Sequence, residues 1–213
     1  MKNHTLAYLA ETASHDAAVD LINEEAFGPG RFARAAARIR EQGAHDRALS
    51  FVCTDDGAVI ASVRMTAVMA GTVKGHLLGP LAVRPSHKNL GIGRELVRIA
   101  IEAARLTASE GVILVGDPPY YMPLGFEKVA YGALEFPGPV DPGRVLVVPL
   151  AQDVHARLKG VIGWRAEAAG DGTVLSVASL ADGTAQSVGS PPSALPGISP
   201  TRGEIGKVAA VSR

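Results

Sequence analysis

Apolar and polar residues alternate from about Thr5 to Glu11, which predicts a strand. The spacing of Ala18, Leu21, Ile22 and Ala26 predicts a helix from Ser14 to Phe27, with Thr12 or Ser14 as its N-cap. Gly28-Pro29-Gly30 stops that helix, and an Ala- and Arg-rich segment from Arg31 to Gln42 restarts one that Gly43 ends. Leu49 to Cys53 and Val59 to Met65 read as antiparallel strands around Asp55-Asp56-Gly57, with Gly57 at positive φ. Leu77 to Val83 follows as a third strand, but Gly79-Pro80 inside it does not suit pairing on both edges and predicts a bulge or an unpaired stretch. At Ile92 the period changes: Ile92, Leu96, Ile99, Ala100, Ala103 and Leu106 form one stripe, with Arg94, Glu95, Arg98, Glu102 and Arg105 opposite. Val112 to Val115 is a short apolar strand, Gly116 to Pro119 a turn into a short helix at Tyr120 to Met122, and Ala133 to Phe136 and Val145 to Leu150 are two more strands. The order is therefore β, two helices, three β, helix, β, short helix, two β, an α/β chain with a mixed sheet.

Beyond Trp164 there is no Phe, Tyr or Trp, and Ala, Gly, Ser, Thr and Pro dominate, so this part is expected to add little to the core. Thr173 to Val177 is a candidate edge strand, and Ser190-Pro191-Pro192 is the clearest breaker in what reads as a flexible tail.

Lys plus Arg equal Asp plus Glu at 21 each, so no overall field attracts nucleic acid or an anionic membrane. No run approaches the roughly 18 apolar residues a membrane helix needs, and Met1 to His4 lead straight into the first strand without an apolar leader, which points to the cytoplasm. Cys53 is the single cysteine, expected to pack as a small core residue, and it excludes an intrachain disulfide. The six histidines, His4, His15, His45, His76, His87 and His155, include no i, i+4 pair, so no metal is expected.

The chemistry concentrates in Leu81-Ala82-Val83-Arg84-Pro85-Ser86-His87-Lys88-Asn89-Leu90-Gly91-Ile92-Gly93-Arg94, a strand, a loop, two glycines and the start of the amphipathic helix. Unpaired N–H groups in the first helical turn favour phosphate, glycines let a ligand approach the backbone, and Lys88 and Arg94 add charge. A Walker A loop would need Gly-Lys-Ser/Thr, which is missing, and a dinucleotide fingerprint would need a small residue where Leu96 stands. Asp117 at a later strand end keeps a nucleotide-binding oxidoreductase as a competing reading.

Lys88-x-x-Gly91-x-Gly93 resembles the acetyl-CoA signature [Q/R]-x-x-G-x-[G/A] of the GNAT superfamily of N-acetyltransferases, with Lys88 where Gln or Arg is usual. Tyr121-Met122-Pro123-Leu124-Gly125-Phe126 resembles the family's Tyr-x-x-x-Gly-Phe segment, and the preceding Gly116-Asp117-Pro118-Pro119-Tyr120 is similar to one bacterial subgroup. The resemblance implies a GNAT domain over 1–150 with an extension over 151–213, and a sheet whose fourth and fifth strands splay apart to hold the pantetheine arm. It implies acetyl-CoA bound by Leu81, Ala82, Val83, Lys88, Asn89, Leu90, Gly91, Ile92, Gly93 and Arg94. It further implies direct transfer to a primary amine of a small molecule or protein, by a monomer or homodimer, with an oxyanion held by N–H groups around Ala82 and Val83 and Tyr121 protonating the leaving sulfur. A phenol near pKa 10 donating to a thiolate near 8.5 works about 2 kcal/mol uphill, so Tyr121 is expected to assist rather than to be essential, while Tyr120 packs.

The amine is not identified by the sequence. Phe27, Phe32, His45 and Arg64 are candidate pocket residues, and Glu24, Glu25, Asp117 and Glu127 are candidate bases alongside a water relay. The alternative from another class is a catalytically silent acyl-CoA sensor, which Tyr121 and a thiol-release assay discriminate.

Overall fold

The computed structural model describes residues 5–30 and 35–166. In chain order they form β1 (Leu6–Ala10), α1 (Asp16–Phe27), α2 (Ala35–Arg40), β2 (Asp46–Asp55), β3 (Ala58–Ala70), β4 (Val73–Val83), α3 (Ile92–Arg105), β5 (Gly111–Val115) and α4 (Pro118–Tyr121). There follow β6 (Glu127–Lys128), β7 (Leu134–Glu135), β8 (Val145–Pro149), α5 (Val154–Arg157) and β9 (Gly160–Trp164). The main path of the sheet is β1-β2-β3-β4-β5-β8-β6, and β9 pairs with both β3 and β7. This is the expected mixed α/β architecture with helices on both faces.

The β2–β3 hairpin closes through Asp56 (φ 47°) and Gly57 (φ 82°), so two successive left-handed residues, not Gly57 alone, match the twist of the strands. Strand β4 starts four residues earlier than the apolar run suggested, because polar Lys74 and His76 and small Gly75 still pair along β3 to the turn at Gly71.

The pairing of β4 and β5 sets the shape of the molecule. It is parallel and runs through only His76↔Val112 and Leu77↔Ile113. Past Leu77 the two strands part, while β4 stays with β3 as far as Ala61↔Val83. Between Leu78 and Leu81 the β3–β4 register shifts, so Gly79-Pro80 forms a bulge on one edge and is unpaired on the other; both halves of the expectation hold. A proline is tolerated there because no neighbouring strand asks for its missing N–H.

Two apolar layers hold the sheet. On one face Phe51, Met65, Leu78 and Leu114 pack under Leu96 and Ile99 of α3; on the other, Leu77, Val147 and Ile113 pack with Ile39 of α2 and Ile162 of β9. Cys53 is fully buried in the first layer, and burial pushes its thiol up to about 11, as suits a packing residue.

The sheet does not end at residue 150. β9 lies antiparallel to the end of β3 (Val68↔Trp164, Ala70↔Ile162) and parallel to β7 (Leu134↔Gly160). The Trp164 indole N–H donates to the Ala44 carbonyl at 3.3 Å, and its ring fills the space where Gly43 has no side chain. Gly160-Val161-Ile162-Gly163-Trp164 has too little alternation to be read as a strand locally; it is one because β3 is long enough to pair it. The expected strand at 173–177 and the breaker at 190–192 lie outside the described residues.

Candidate active site

The gap between β4 and β5 opens into a cleft of about 1500 Å³. Its floor is the free edge of β4. The Arg84 N–H donates to the Ile60 carbonyl at 2.9 Å, making these two a hydrogen-bonded pair. Antiparallel pairs alternate, so Ser62 and Ala82 form the next such pair, and Leu81 and Val83 turn their N–H and C=O groups away from β3, into the cleft. Ala82, expected to contribute its N–H, directs its backbone to β3 instead and offers the cleft only its methyl group.

The loop from β4 to α3 is fastened to neighbouring elements. The Arg84 guanidinium donates to the Val59 carbonyl at 3.3 Å and pairs with Glu25 at 3.1 Å. The His87 imidazole meets the Asp55 carboxylate of the hairpin at 3.1 Å and Ser86 at 2.8 Å. Asn89 (φ 65°) and Gly91 (φ 79°) take left-handed conformations that aim the chain into the helix. The Gly91 carbonyl accepts from Glu95 N–H, leaving the N–H groups of Ile92, Gly93 and Arg94 without an intrahelical acceptor at the mouth of the cleft. Lys88 and Asn89 border the same mouth.

The two glycines serve different ends. A Cβ on Gly91 would meet nothing within 4 Å, so its role is the backbone angle; one on Gly93 would come 2.8 Å from the Tyr120 hydroxyl and 3.4 Å from Val83, so its role is close packing. Ile92 contributes its amide alone, since its side chain is buried in the core. Leu90 departs from expectation: its side chain is 57% exposed and does not line the cleft, because the turn rotates it outward.

Tyr120 and Tyr121 both reach the cleft. The Tyr121 ring packs edge-to-face on Tyr120 (4.8 Å between centroids) and Phe126 (5.6 Å), and lies so close to Gly116 that any Cβ there would overlap it. Burial, reinforced by the neighbouring Tyr120 phenol, pushes the Tyr121 hydroxyl up to about 12, against the opposite pull of Arg40 and Arg144. Tyr120, expected only to pack, sits over Gly93 with the Arg94 guanidinium 5.8 Å from its ring centre, and burial raises its phenol too.

The opposite wall comes from α1, α2 and β3. Phe27, His45 and Arg64 line it as expected, with Asp20, Asn23 and Thr66; Phe32 lies outside the described residues. Behind this wall Glu11, whose side chain is fully buried, accepts from Arg64 Nε (2.9 Å) and Nη2 (2.7 Å). His45 Nε2 stands 3.2 Å from the same carboxylate, off the line of a good hydrogen bond, and Asp16 bridges Arg47 (2.7 Å) and Arg64 (3.1 Å). Burial pushes the Glu11 carboxyl up, but His45 and the charge and hydrogen bonds of Arg64 outweigh it and hold the group below the usual carboxylate range. Nothing local in the sequence announced Glu11; its partner Arg64 is 53 residues away. Of the four carboxylates considered as bases, Asp117 borders the cleft, Glu25 pairs with Arg84, Glu127 pairs with His155 at 2.8 Å, and Glu24 is exposed on α1.

Among the described residues no helix is long and apolar enough to cross a membrane. The sequence over residues 15–119 matches the acetyltransferase (GNAT) family. It is 32% identical to the uncharacterised N-acetyltransferase YjhQ of Escherichia coli K12 over 125 residues, 55% of this chain and 67% of that one. It is 30% identical to the uncharacterised N-acetyltransferase YhbS of the same strain over 151 residues, 68% of this chain and 86% of that one. The crystal structure of E. coli YhbS in complex with CoA superposes with a TM-score of 0.64, covering 78% of this chain and 92% of that one at 24% identity. A GNAT family acetyltransferase from Brucella melitensis in complex with acetyl-CoA does so with a TM-score of 0.57, covering 77% and 98%, also at 24% identity. With YhbS matched over most of its length, and the splayed β4–β5 pair and open α3 terminus in place, the chain belongs to the GNAT acetyltransferase family.

Proposed function

We propose that this protein transfers the acetyl group of acetyl-CoA to a primary amine, in the cytoplasm, by direct attack within the β4–β5 cleft. The observation that carries the reading is the combination of an unpaired strand edge at Leu81 and Val83 with the open N-terminus of α3. A diphosphate fits the amides of Ile92, Gly93 and Arg94, with Lys88 beside it. A pantetheine arm, itself a chain of amides, fits the free edge of β4 as a further strand would. CoA and acetyl-CoA in the two similar structures support the same ligand here.

In this reading the neutral amine forms a bond to the thioester carbonyl carbon and the carbonyl oxygen becomes an oxyanion. The fixed N–H groups of Leu81 and Val83 are the available donors to it; loss of one such donor typically costs 10² to 10³ in rate. The C–S bond then breaks, and the thiolate leaves beside Tyr121. With its hydroxyl raised to about 12, Tyr121 is a weaker acid than a free tyrosine, so full proton transfer to a thiolate near 8.5 lies further uphill than the sequence suggested. Its role is a hydrogen bond to the departing sulfur, which contributes roughly 10- to 100-fold in rate. Asp117 is the one acidic candidate from the sequence that borders the cleft and could receive the amine proton through water.

The test is release of free thiol from acetyl-CoA, followed with a panel of amines and without any amine. Amine-dependent release supports transfer. Tight binding of acetyl-CoA with no release for any amine would replace it with an acyl-CoA sensor.

A further inference from the structure

Two arginines outside the diphosphate cradle stand on the two sides of the gap between β4 and β5. Arg40, at the end of α2, reaches β4 where Gly79 has no side chain: a Cβ there would come 2.9 Å from Arg40 Nη2. Arg144, just ahead of β8, reaches the end of β5, where its Nε donates to the Gly116 carbonyl at 3.2 Å. Gly116 is also the residue against which the Tyr121 ring packs, so Arg144 and Tyr121 share one neighbour. All three residues border the cleft.

The electrostatics agree with this placement. Burial and the Tyr120 phenol push the Tyr121 hydroxyl up; Arg40 and Arg144 pull the other way, and each outweighs the adverse charge of Asp117. Of the other acidic groups bordering the cleft, Asp141 accepts from Gly143 N–H at 2.9 Å, Asp20 pairs with Arg64 at 3.5 Å, and Glu41 is exposed. Arginine stays protonated at any working pH, so the pull on a negative charge beside Tyr121 is permanent. The departing sulfur is such a charge. Tyr121 is too weak an acid to neutralise it, and fixed charges aimed at the place where an anion forms need no reorganisation during the reaction.

We propose that Arg40 and Arg144 stabilise the thiolate of CoA as it leaves, one guanidinium from the β4 side of the gap and one from the β5 side. The electron pair of the breaking C–S bond stays on sulfur, the amine proton passes to water, and Tyr121 contributes a hydrogen bond without giving up its proton. The inference rests on acetyl transfer within the cleft and adds the groups that carry the leaving charge. Neither arginine belongs to the glycine signature or to the tyrosine segment; the fold alone brings them to the gap.

The test compares CoA with desulfo-CoA, which lacks only the sulfur, by calorimetric titration from pH 7 to pH 10. The pH dependence of the ratio of the two affinities gives the pKa of the bound thiol in the wild type, Arg40→Met, Arg144→Met and Arg144→Lys. Each Met variant should raise the bound-thiol pKa by about one unit and lower kcat for amine-dependent thiol release about tenfold. Affinity for desulfo-CoA should not change. Arg144→Lys keeps the charge and should hold the bound-thiol pKa within about half a unit of the wild type. A merely structural arginine would not move the thiol while leaving desulfo-CoA binding untouched. Arg144 is exposed, so its two variants decide the matter even if Arg40→Met does not fold. An unchanged bound-thiol pKa in Arg144→Met would overturn the inference and leave acetyl transfer intact. If that variant instead raised KM for glutamate alone among the amines, the arginine would belong to a carboxylate subsite of the acceptor. Folded protein that takes up neither CoA nor desulfo-CoA would overturn the reading of the cleft, and this inference with it.

Discussion

The two walls of the cleft are built from different materials. The β4–α3 wall presents main-chain amides: Leu81 and Val83 on a strand edge, and Ile92, Gly93 and Arg94 at a helix start, set by the positive φ of Gly91. The α1–β3 wall presents side chains, and their positions are set by an ion cluster in which Glu11, Asp16, His45, Arg47 and Arg64 converge from four elements or their flanks. A backbone site tolerates many side chains so long as a few residues keep the chain geometry, which suits a ligand common to a whole family. A side-chain site changes with each substitution, which suits a partner that differs from one member to the next.

The contrast can be broken first at the ion cluster. Glu11→Ala leaves Arg64 without its buried partner and should lower stability by about 3–5 kcal/mol, read as a shift in the urea midpoint at constant slope. The sign of its pH dependence follows from the lowered pKa of Glu11. Because the folded-state value lies below the unfolded one, the stabilisation is complete above the unfolded value, about 4.3, and is lost as pH falls through the folded value. Between pH 7 and pH 3, Glu11→Gln should therefore show a smaller acid-induced loss of stability than the wild type.

Smaller effects belong to Tyr121 of α4 and to the β4–α3 wall. Tyr121→Phe should lower kcat by about 10- to 100-fold with acetyl-CoA affinity unchanged, in single-turnover measurements. Gly91→Val forces a β-branched residue into a left-handed angle and should weaken acetyl-CoA binding by about tenfold, the strain there being about 1–2 kcal/mol. Leu90→Ala, although it lies within the same signature, should change binding by less than about 0.5 kcal/mol, because its side chain points away from the cleft. If Leu90→Ala were as damaging as Gly91→Val, the loop would be held by side chains and the contrast between the walls would be lost.

The same contrast explains what could be read from the chain beforehand. The glycines, the alternation of Val59 to Met65 and the stripe from Ile92 to Leu106 are local patterns with a physical cause within a few residues, and they place the hairpin and α3 correctly. Gly79-Pro80 marked the free strand edge because proline excludes pairing on both sides. Residues whose role depends on distant partners stayed hidden: Glu11 looks like the end of a strand until Arg64 arrives beside it, and β9 looks like part of an extension until the end of β3 pairs it. The Leu81 to Val83 run appears in the sequence without its phase; the Arg84–Ile60 pair supplies it and turns the N–H groups of Leu81 and Val83, but not that of Ala82, away from β3. Tyr120 packs as expected, over Gly93 and against Tyr121; that it also borders the cleft is visible only in the fold.

The central claim is that main-chain amides of β4 and α3 together bind acetyl-CoA. Isothermal calorimetry of the full chain with acetyl-CoA tests it most directly: one molecule bound per chain, with affinity weakened by Gly91→Val and untouched by Leu90→Ala, is the predicted result. Folded protein that takes up no acetyl-CoA, or binds it equally well after Gly91→Val, would contradict it.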